Sequence, residues 1–457
     1  MNPRLTSGNL SSSGDPARGA RTDIRAMLRI AVPLAFAELG WMSMSVVDTI
    51  MVGRLPGSAT AIGAASVGGA FFYAFAIFAL GLMSGLDTLV SHAHGSGKKH
   101  ETHRVLGSGL ALAICAAPVG MACVLAITPL LGVLGIAEAI RHPAVQFTRT
   151  LVWSLPLLLL YTTFRRYLQG IHHVRPIPFA LISSNLVNLA GNWILIYGHW
   201  GAPRLGIVGS ALSTVVARLY LAIFLGFVLY RRDPAAFADL RPDRICFVKL
   251  FRLGFPAALT IGFEVGVFNT ATALAAKFGP VSLAAHTIAL NAASVTYMVP
   301  LGIASAAAVS VGKALGAGHR AGAMRAGWTA LALAAVFEVG SAAAFVLLPG
   351  LIARAYTPDR QVITFAVKLL AIAAVFQLFD GLQTVATGAL RGLGNTRTPM
   401  IWNLVCYWVI GLPLGCWLGF VLHWGAVGLW DGLCVALILI GVGLVREWRE
   451  SSKMQAW

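Results

Sequence analysis

The sequence predicts an all-α membrane protein of twelve transmembrane helices, in two six-helix lobes related by pseudo-twofold symmetry. Three observations lead there. Of the 457 residues, 58% are hydrophobic and only 11% are charged, whereas a soluble domain carries about 25% charge. The apolar residues gather into blocks long enough to cross a bilayer, at roughly 20 residues per crossing. Fragments of the first half also return, in order, in the second half.

The first lobe takes blocks 27–52, 59–90, 105–133, 147–169, 177–198 and 206–230. The second takes 253–276, 282–311, 324–348, 362–390, 399–421 and 425–445. Backbone groups in hydrocarbon must bond within their own segment, so each block is expected to be helical. Pro33, Pro118, Pro156, Pro256 and Pro300 fall in or near these spans, where a proline bends a membrane helix without unfolding it. Joints rich in Lys and Arg alternate with poor ones. The rich set includes Arg25 and Arg29, Lys98 and Lys99, Arg165 and Arg175, Arg231 to Lys249, Lys313 and Arg325, Arg391 and Arg397, and Arg446. By the positive-inside rule both termini are cytoplasmic and the helix count is even. The net charge of +17 is therefore read as membrane orientation. Nucleic acid is not an expected partner, since no basic stripe with interleaved aromatics occurs.

These features divide the chain into a disordered cytoplasmic tail (1–26), an N-lobe (27–230), a basic cytoplasmic linker (231–252), a C-lobe (253–446) and a second tail (447–457). The first tail lacks the apolar core of a signal peptide. The expected location is the cell (inner or plasma) membrane.

The internal repeat is direct. LVSHAHGSGKKH (89–100) resembles AVSVGKALGAGH (308–319), LQGIHHVRPIP (168–178) resembles LRGLGNTRTP (390–399), and GIVG (206–209) resembles GAVG (425–428). Six helices per copy bring both copies into the membrane from the same side, which is a parallel repeat about an axis along the membrane normal. Two like lobes around a central cavity make a transporter layout. Each chain holds both lobes, so a monomer is expected.

Acids inside the apolar blocks carry the chemistry. Glu264 lies roughly 18 Å from the basic start of its helix, and Asp380 roughly 16 Å from the basic end of its own. Both reach the middle of a core about 30 Å thick. A carboxylate there costs several kcal/mol unless it is neutralised, and an acid pair can hold a proton or Na+. In the first lobe Asp48 lies further out, at a depth that Asn188, Asn192 and Thr214 share; Asn188 and Asn192 are four apart on one face. This network is either a protonation site or a polar packing contact. Glu38, Tyr73, Tyr297 and Phe376 are expected to line the cavity. Asp87 is expected near water at a helix end, while Glu338 and Asp431 stand isolated. Arg218 and Lys368 are expected to snorkel or to pair with an acid. His286 reads as a packing residue. No Walker A sequence, GxSxG or metal-ligand spacing occurs. The six cysteines form no CxxC pair and read as small buried hydrophobes. The chain is therefore not expected to be an enzyme or to need a cofactor, and an ion gradient is the expected energy source.

VDTIMVGRLPGSATAIGAAS, LQGIHHVRPIPFALISSNLVNLAGNWILIYG, LGIVGSALST, LAAHTIALNAAS and FQLFDGLQTVATGALRGLGNTRTP resemble the multidrug and toxic compound extrusion (MATE) family, over nearly the whole chain. The contexts of Glu264 and Asp380 resemble its NorM-like branch. The resemblance implies secondary active antiport, in which H+ or Na+ enters as an organic cation or toxic compound leaves. It implies that Glu264 and Asp380 bind the coupling cation and that Asp48 takes part, with Asn188, Asn192 and Thr214 around it. Some relatives carry an acid where this chain has Asn192. The alternative is a flippase for a lipid-linked precursor, which would favour a basic central cavity.

Overall fold

The computed structural model describes residues 16–55, 58–133, 137–238 and 240–454. Twelve membrane-length helices follow one another: α1 (Pro16–Val52), α2 (Ser58–Leu82, resuming as Gly85–Gly95), α3 (Lys99–Ile127) and α4 (Glu138–Leu151, resuming as Ser154–Gly170). Then come α5 (Pro176–Tyr197), α6 (Ile207–Arg232), α7 (Arg244–Ala275) and α8 (Pro280–Gly316). The last four are α9 (Arg320–Leu347), α10 (Arg360–Gly392), α11 (Arg397–Val421) and α12 (Ala426–Met454). Eleven of these are long and apolar enough to cross a membrane outright; α4, bent by 44°, makes 12 when its two halves count as one span.

The bends have covalent causes. Pro156 has no N–H to offer the carbonyl of Val152, and α4 breaks there. The Ser154 hydroxyl caps the break by donating to Leu151 O at 2.5 Å. In α11 the backbone widens into π turns over Leu404–Gly411, just before Pro413, where a missing donor again disturbs the ladder. Asp243 caps α7 by accepting from Ile245 N, and Asp359 caps α10 by accepting from Gln361 N.

The termini are more helical than expected. α1 begins at Pro16, so residues 16–26 of the segment read as a tail are helical, while residues 1–15 lie outside the described residues. α12 likewise runs on to Met454, and the linker 231–252 holds a short helix, Ala235–Ala238, and the first turns of α7. Polar helical turns here continue membrane helices already nucleated by their apolar parts, and extension adds one backbone bond per residue.

The lobes repeat helix by helix. In the N-lobe α1 packs on α5, α5 on α6, α4 on α6, α2 on α4 and α3 on α4. In the C-lobe α7 packs on α11, α11 on α12, α10 on α12, α8 on α10 and α9 on α10. Even a side-chain clamp recurs: Asn185 of α5 donates to Gly40 O of α1, and Trp408 of α11 donates to Phe263 O of α7. Between lobes, α1 meets α8 and α7 meets α2, as a twofold exchange requires.

The lobes join tightly at the end that carries the termini. Gly95 of α2 lies so close to α8 that a Cβ there would stand 2.1 Å from Lys313 O. Thr88 donates to Arg391 O at 2.6 Å, and His92 Nε2 donates to Gly392 O at 2.8 Å.

Candidate functional site

Each lobe holds a polar centre within its helices. In the N-lobe, Asn192 Nδ2 donates to Asp48 Oδ1 at 2.7 Å and Thr214 Oγ1 donates to Asp48 Oδ2 at 3.2 Å. Asn188 Oδ1 accepts a second bond from Asn192 at 3.2 Å, and Ser213 holds Asn188 O at 2.7 Å. The four residues singled out by depth and spacing thus come together. Asp48, Thr214 and Tyr73 border one cavity of about 300 Å³, with Ser45, Ser66 and Phe147 on its other walls.

Behind that cavity stands Arg218, which does not snorkel; it is 1% exposed. Its guanidinium donates to Ser154 Oγ at 2.5 Å and Tyr73 OH at 3.0 Å, and lies 5.0 Å from the centre of the Phe72 ring. Aromatic faces and two hydroxyls thus solvate the charge in place of water. Ser210, Thr214 and Arg218 recur every four residues on α6, so the cation was visible in the spacing, but the rings around it, Trp41 of α1 with Phe72 and Tyr73 of α2, come from two other helices. Lys368 is exposed.

In the C-lobe, Glu264 of α7 and Asp380 of α10 lie within electrostatic reach of each other, with Tyr297 of α8 hydrogen-bonded to Glu264. Asp380 is buried and Glu264 half-buried. Gln383 donates to Asp380 Oδ1 at 3.1 Å and to Tyr407 OH at 3.4 Å. The oxygen Gln383 Oε1 is buried beside the pair without a bonded partner. Such a neutral oxygen is what a hard cation takes as a ligand. Among the described residues, no group of three or more His, Cys, Asp or Glu is placed to hold a metal ion.

Several expectations are revised. Phe376 is 2% exposed and packs between Phe268 (5.8 Å) and Trp430 (5.5 Å), under the acid pair rather than along a cavity. Glu38, 9% exposed, is tied to Arg165 in an ion pair. Asp87 is 0% exposed, bonded to Arg166 at 2.5 Å, with Arg391 of the other lobe at 3.8 Å. It therefore belongs to the inter-lobe contact. Glu338 is not isolated: Gln377 Nε2 approaches its Oε2 at 3.5 Å, and its carboxylate lies on Gly381, next to Asp380. His286 packs as expected. It accepts from Trp430 Nε1 at Nδ1 (3.0 Å), which leaves Nε2–H to donate to Thr272 Oγ1 (2.9 Å).

The MatE family model matches residues 33–194 and again 256–417, one copy in each lobe. The chain belongs to the MATE family. It is thus a membrane transporter and not an enzyme. It is 36% identical to the probable multidrug resistance protein NorM of Pseudomonas aeruginosa, across 94% of this chain and 90% of that one. It is 36% identical to the multidrug resistance protein NorM of Burkholderia vietnamiensis, across 92% of each. Among solved MATE structures, it superposes on the eukaryotic transporter AtDTX14 with a TM-score of 0.83 at 20% identity, covering 95% of this chain and 98% of that one. A multidrug resistance MATE transporter in an outward-facing conformation gives 0.85 at 18% identity, covering 94% and 96%. These likenesses carry the MATE fold of two lobes onto this chain.

Proposed function

We propose that this MATE protein is a secondary active multidrug efflux antiporter, exporting small organic cations in exchange for H+ or Na+ held at Glu264 and Asp380. The observation that carries the reading is the placing of two carboxylates within electrostatic reach of each other inside the C-lobe, with no basic partner bonded to either among the described residues. A charge in that position is stabilised by whatever cation arrives, and a proton, Na+ or a cationic substrate can each serve. Occupancy by one disfavours the others, so the exchange is obligatory rather than additive. Asp48 supplies a second acid in the N-lobe, framed by Asn188, Asn192 and Thr214. The names of the NorM relatives, multidrug resistance proteins, support the substrate class.

The protein sits in the cell membrane as a monomer, with both termini in the cytoplasm, on the side where the basic joints cluster. The inter-lobe contact of Asp87, Thr88, His92, Arg391 and Gly392 then shuts the cytoplasmic end. Alternating access requires that contact to break as another forms at the opposite end.

The test uses the purified chain in liposomes with a fluorescent organic cation, under a pH gradient and a Na+ gradient imposed separately. Transport driven by one gradient and lost in Glu264→Gln/Asp380→Asn names the ion and supports the site. Efflux that survives the double substitution overturns the site. Absence of any cation transport favours a lipid-linked substrate instead.

A further inference from the structure

The twofold relation between lobes also relates two clefts at the terminus-bearing end. One lies where α7 packs beside α2 and α3, holds about 450 Å³, and is crossed by the ion pair of Arg104 (α3) with Asp243 at the start of α7, at 3.0 Å. The other lies where α1 packs beside α8 and α9, holds about 740 Å³, and is crossed by Arg325 (α9) with Asp23 (α1), at 3.2 Å. Exchanging α1 for α7, α8 for α2 and α9 for α3 turns one into the other, bridge included.

Their charges differ. The first cleft sets Arg104 and Lys249 against Asp243 and Glu101. The second gathers Arg29, Arg175, Lys313 and Arg325 against Asp23 alone. The positive-inside rule favours basic residues around both clefts and so does not explain why only one is balanced. Cations brought together from α1, the α4–α5 joint, α8 and α9 repel one another in a recess between low-dielectric walls, and the recess attracts an anion. His172 and His173 line it too.

The anion's source follows from the surroundings. Ile24, Leu28, Val32 and Phe36 are exposed by 39%, 40%, 44% and 59%, four residues apart along one face of α1. An apolar track therefore leads away from the basic recess, as acyl chains lead away from a phosphate. Basic pockets between membrane helices at the cytoplasmic surface are recognised in this way by anionic headgroups. We propose that the α1/α8/α9 cleft binds the phosphate headgroup of an anionic phospholipid. Its walls come from both lobes, so a bound headgroup ties them together at this end.

Native mass spectrometry of the full chain with added cardiolipin, and with phosphatidylcholine as the neutral arm, tests this. Wild type should retain cardiolipin in preference to phosphatidylcholine. Arg29→Gln/Arg175→Gln should lose affinity roughly 30-fold, at about fivefold for each basic residue. Lys249→Gln, in the balanced cleft, should match wild type. Should the double variant not fold, Lys313→Gln repeats the test with an expected loss of about fivefold. Equal cardiolipin retention by the recess variants overturns the proposal, as does equal loss in Lys249→Gln. Displacement of cardiolipin by millimolar glycerol phosphate would mean a soluble anion and overturns the lipid assignment.

Discussion

The Asn192 amide stands 2.7 Å from Asp48 Oδ1, a bond that joins α5 to α1. Asn192→Leu keeps the side-chain volume and removes the donor. The carboxyl then loses its shortest bond, and an orphaned buried polar group costs about 1–3 kcal/mol. Thermal unfolding in detergent should fall accordingly. Adding Asp48→Asn should recover part of the loss, because the second change lowers the demand for a donor. A double-mutant cycle with no coupling between the two positions contradicts this account.

Glu264→Gln should insert and fold yet lose gradient-driven efflux to background. The amide keeps the shape of the acid but neither takes up a proton nor carries the charge that holds a cation. Asp380→Asn should behave alike, and its effect should not add to that of Glu264→Gln, since both act on one bound cation. Efflux measured in everted vesicles, beside membrane abundance, separates lost coupling from lost protein.

Asp87 holds Arg166 within its own lobe and approaches Arg391 across the interface. Removing the acid strands buried guanidinium charge, at a cost of about 3–5 kcal/mol. Asp87→Asn should therefore loosen the terminus-bearing end. Thr88 is 1% exposed, so a Thr88→Cys probe, with the six native cysteines replaced, should react slowly with a maleimide. In the Asp87→Asn background its labelling should accelerate by an order of magnitude or more. Unchanged labelling would make Arg166 alone the structural partner.

His172, in the α4–α5 joint, has its pKa pushed down to about 3 by burial, with the charge of Lys313 and then His94 adding to it. The unfolded chain takes up a proton near the ordinary value of 6.5, which the folded chain refuses until about 3. Between those values the unfolded state binds more protons, so stability falls as the pH falls and is insensitive to this group above 6.5. His172→Gln should flatten the decline of the unfolding midpoint between pH 7 and pH 4. A variant that tracks wild type over that range shows that other groups govern the acid response.

The sequence disclosed groups whose partners share their helix or their depth. Asn188 and Asn192 announce a common face by their spacing, and Asp48 and Thr214 join them because depth can be counted from basic joints. Helix existence was legible for the same reason: each crossing must be apolar along its whole length. Contacts between distant helices were not legible. Asp87 looked accessible because its closest cations, Arg166 and Arg391, come from other helices and, for Arg391, from the other lobe. Arg218 was expected to snorkel or to pair with an acid because the groups that surround it, Phe72, Tyr73 and Ser154 among them, lie on α2 and α4. The helical turns of 16–26 were hidden by polar composition, which argues against a membrane span but not against a helix extending beyond one.

Glu338 illustrates the same limit and supplies a direct test. Its carboxylate lies against the backbone of Gly381, where an added Cβ would sit 2.4 Å from Glu338 Cγ and 2.9 Å from Oε1. A glycine is needed there so that α9 can approach α10 one residue from Asp380. Gly381→Ala should force the Glu338 side chain or the helix aside, at about 1–3 kcal/mol for overpacking, partly offset by alanine's better helix propensity of about 1 kcal/mol. Because Gln377 is bonded to both Thr296 and Glu338, the shift should pass to α8 as well as α10. The expected result is a lower unfolding midpoint together with reduced efflux. Glu338→Ala should restore the midpoint in the Gly381→Ala background by removing the clashing atoms. Failure of that rescue would place the clash with the α9 backbone rather than with the Glu338 side chain.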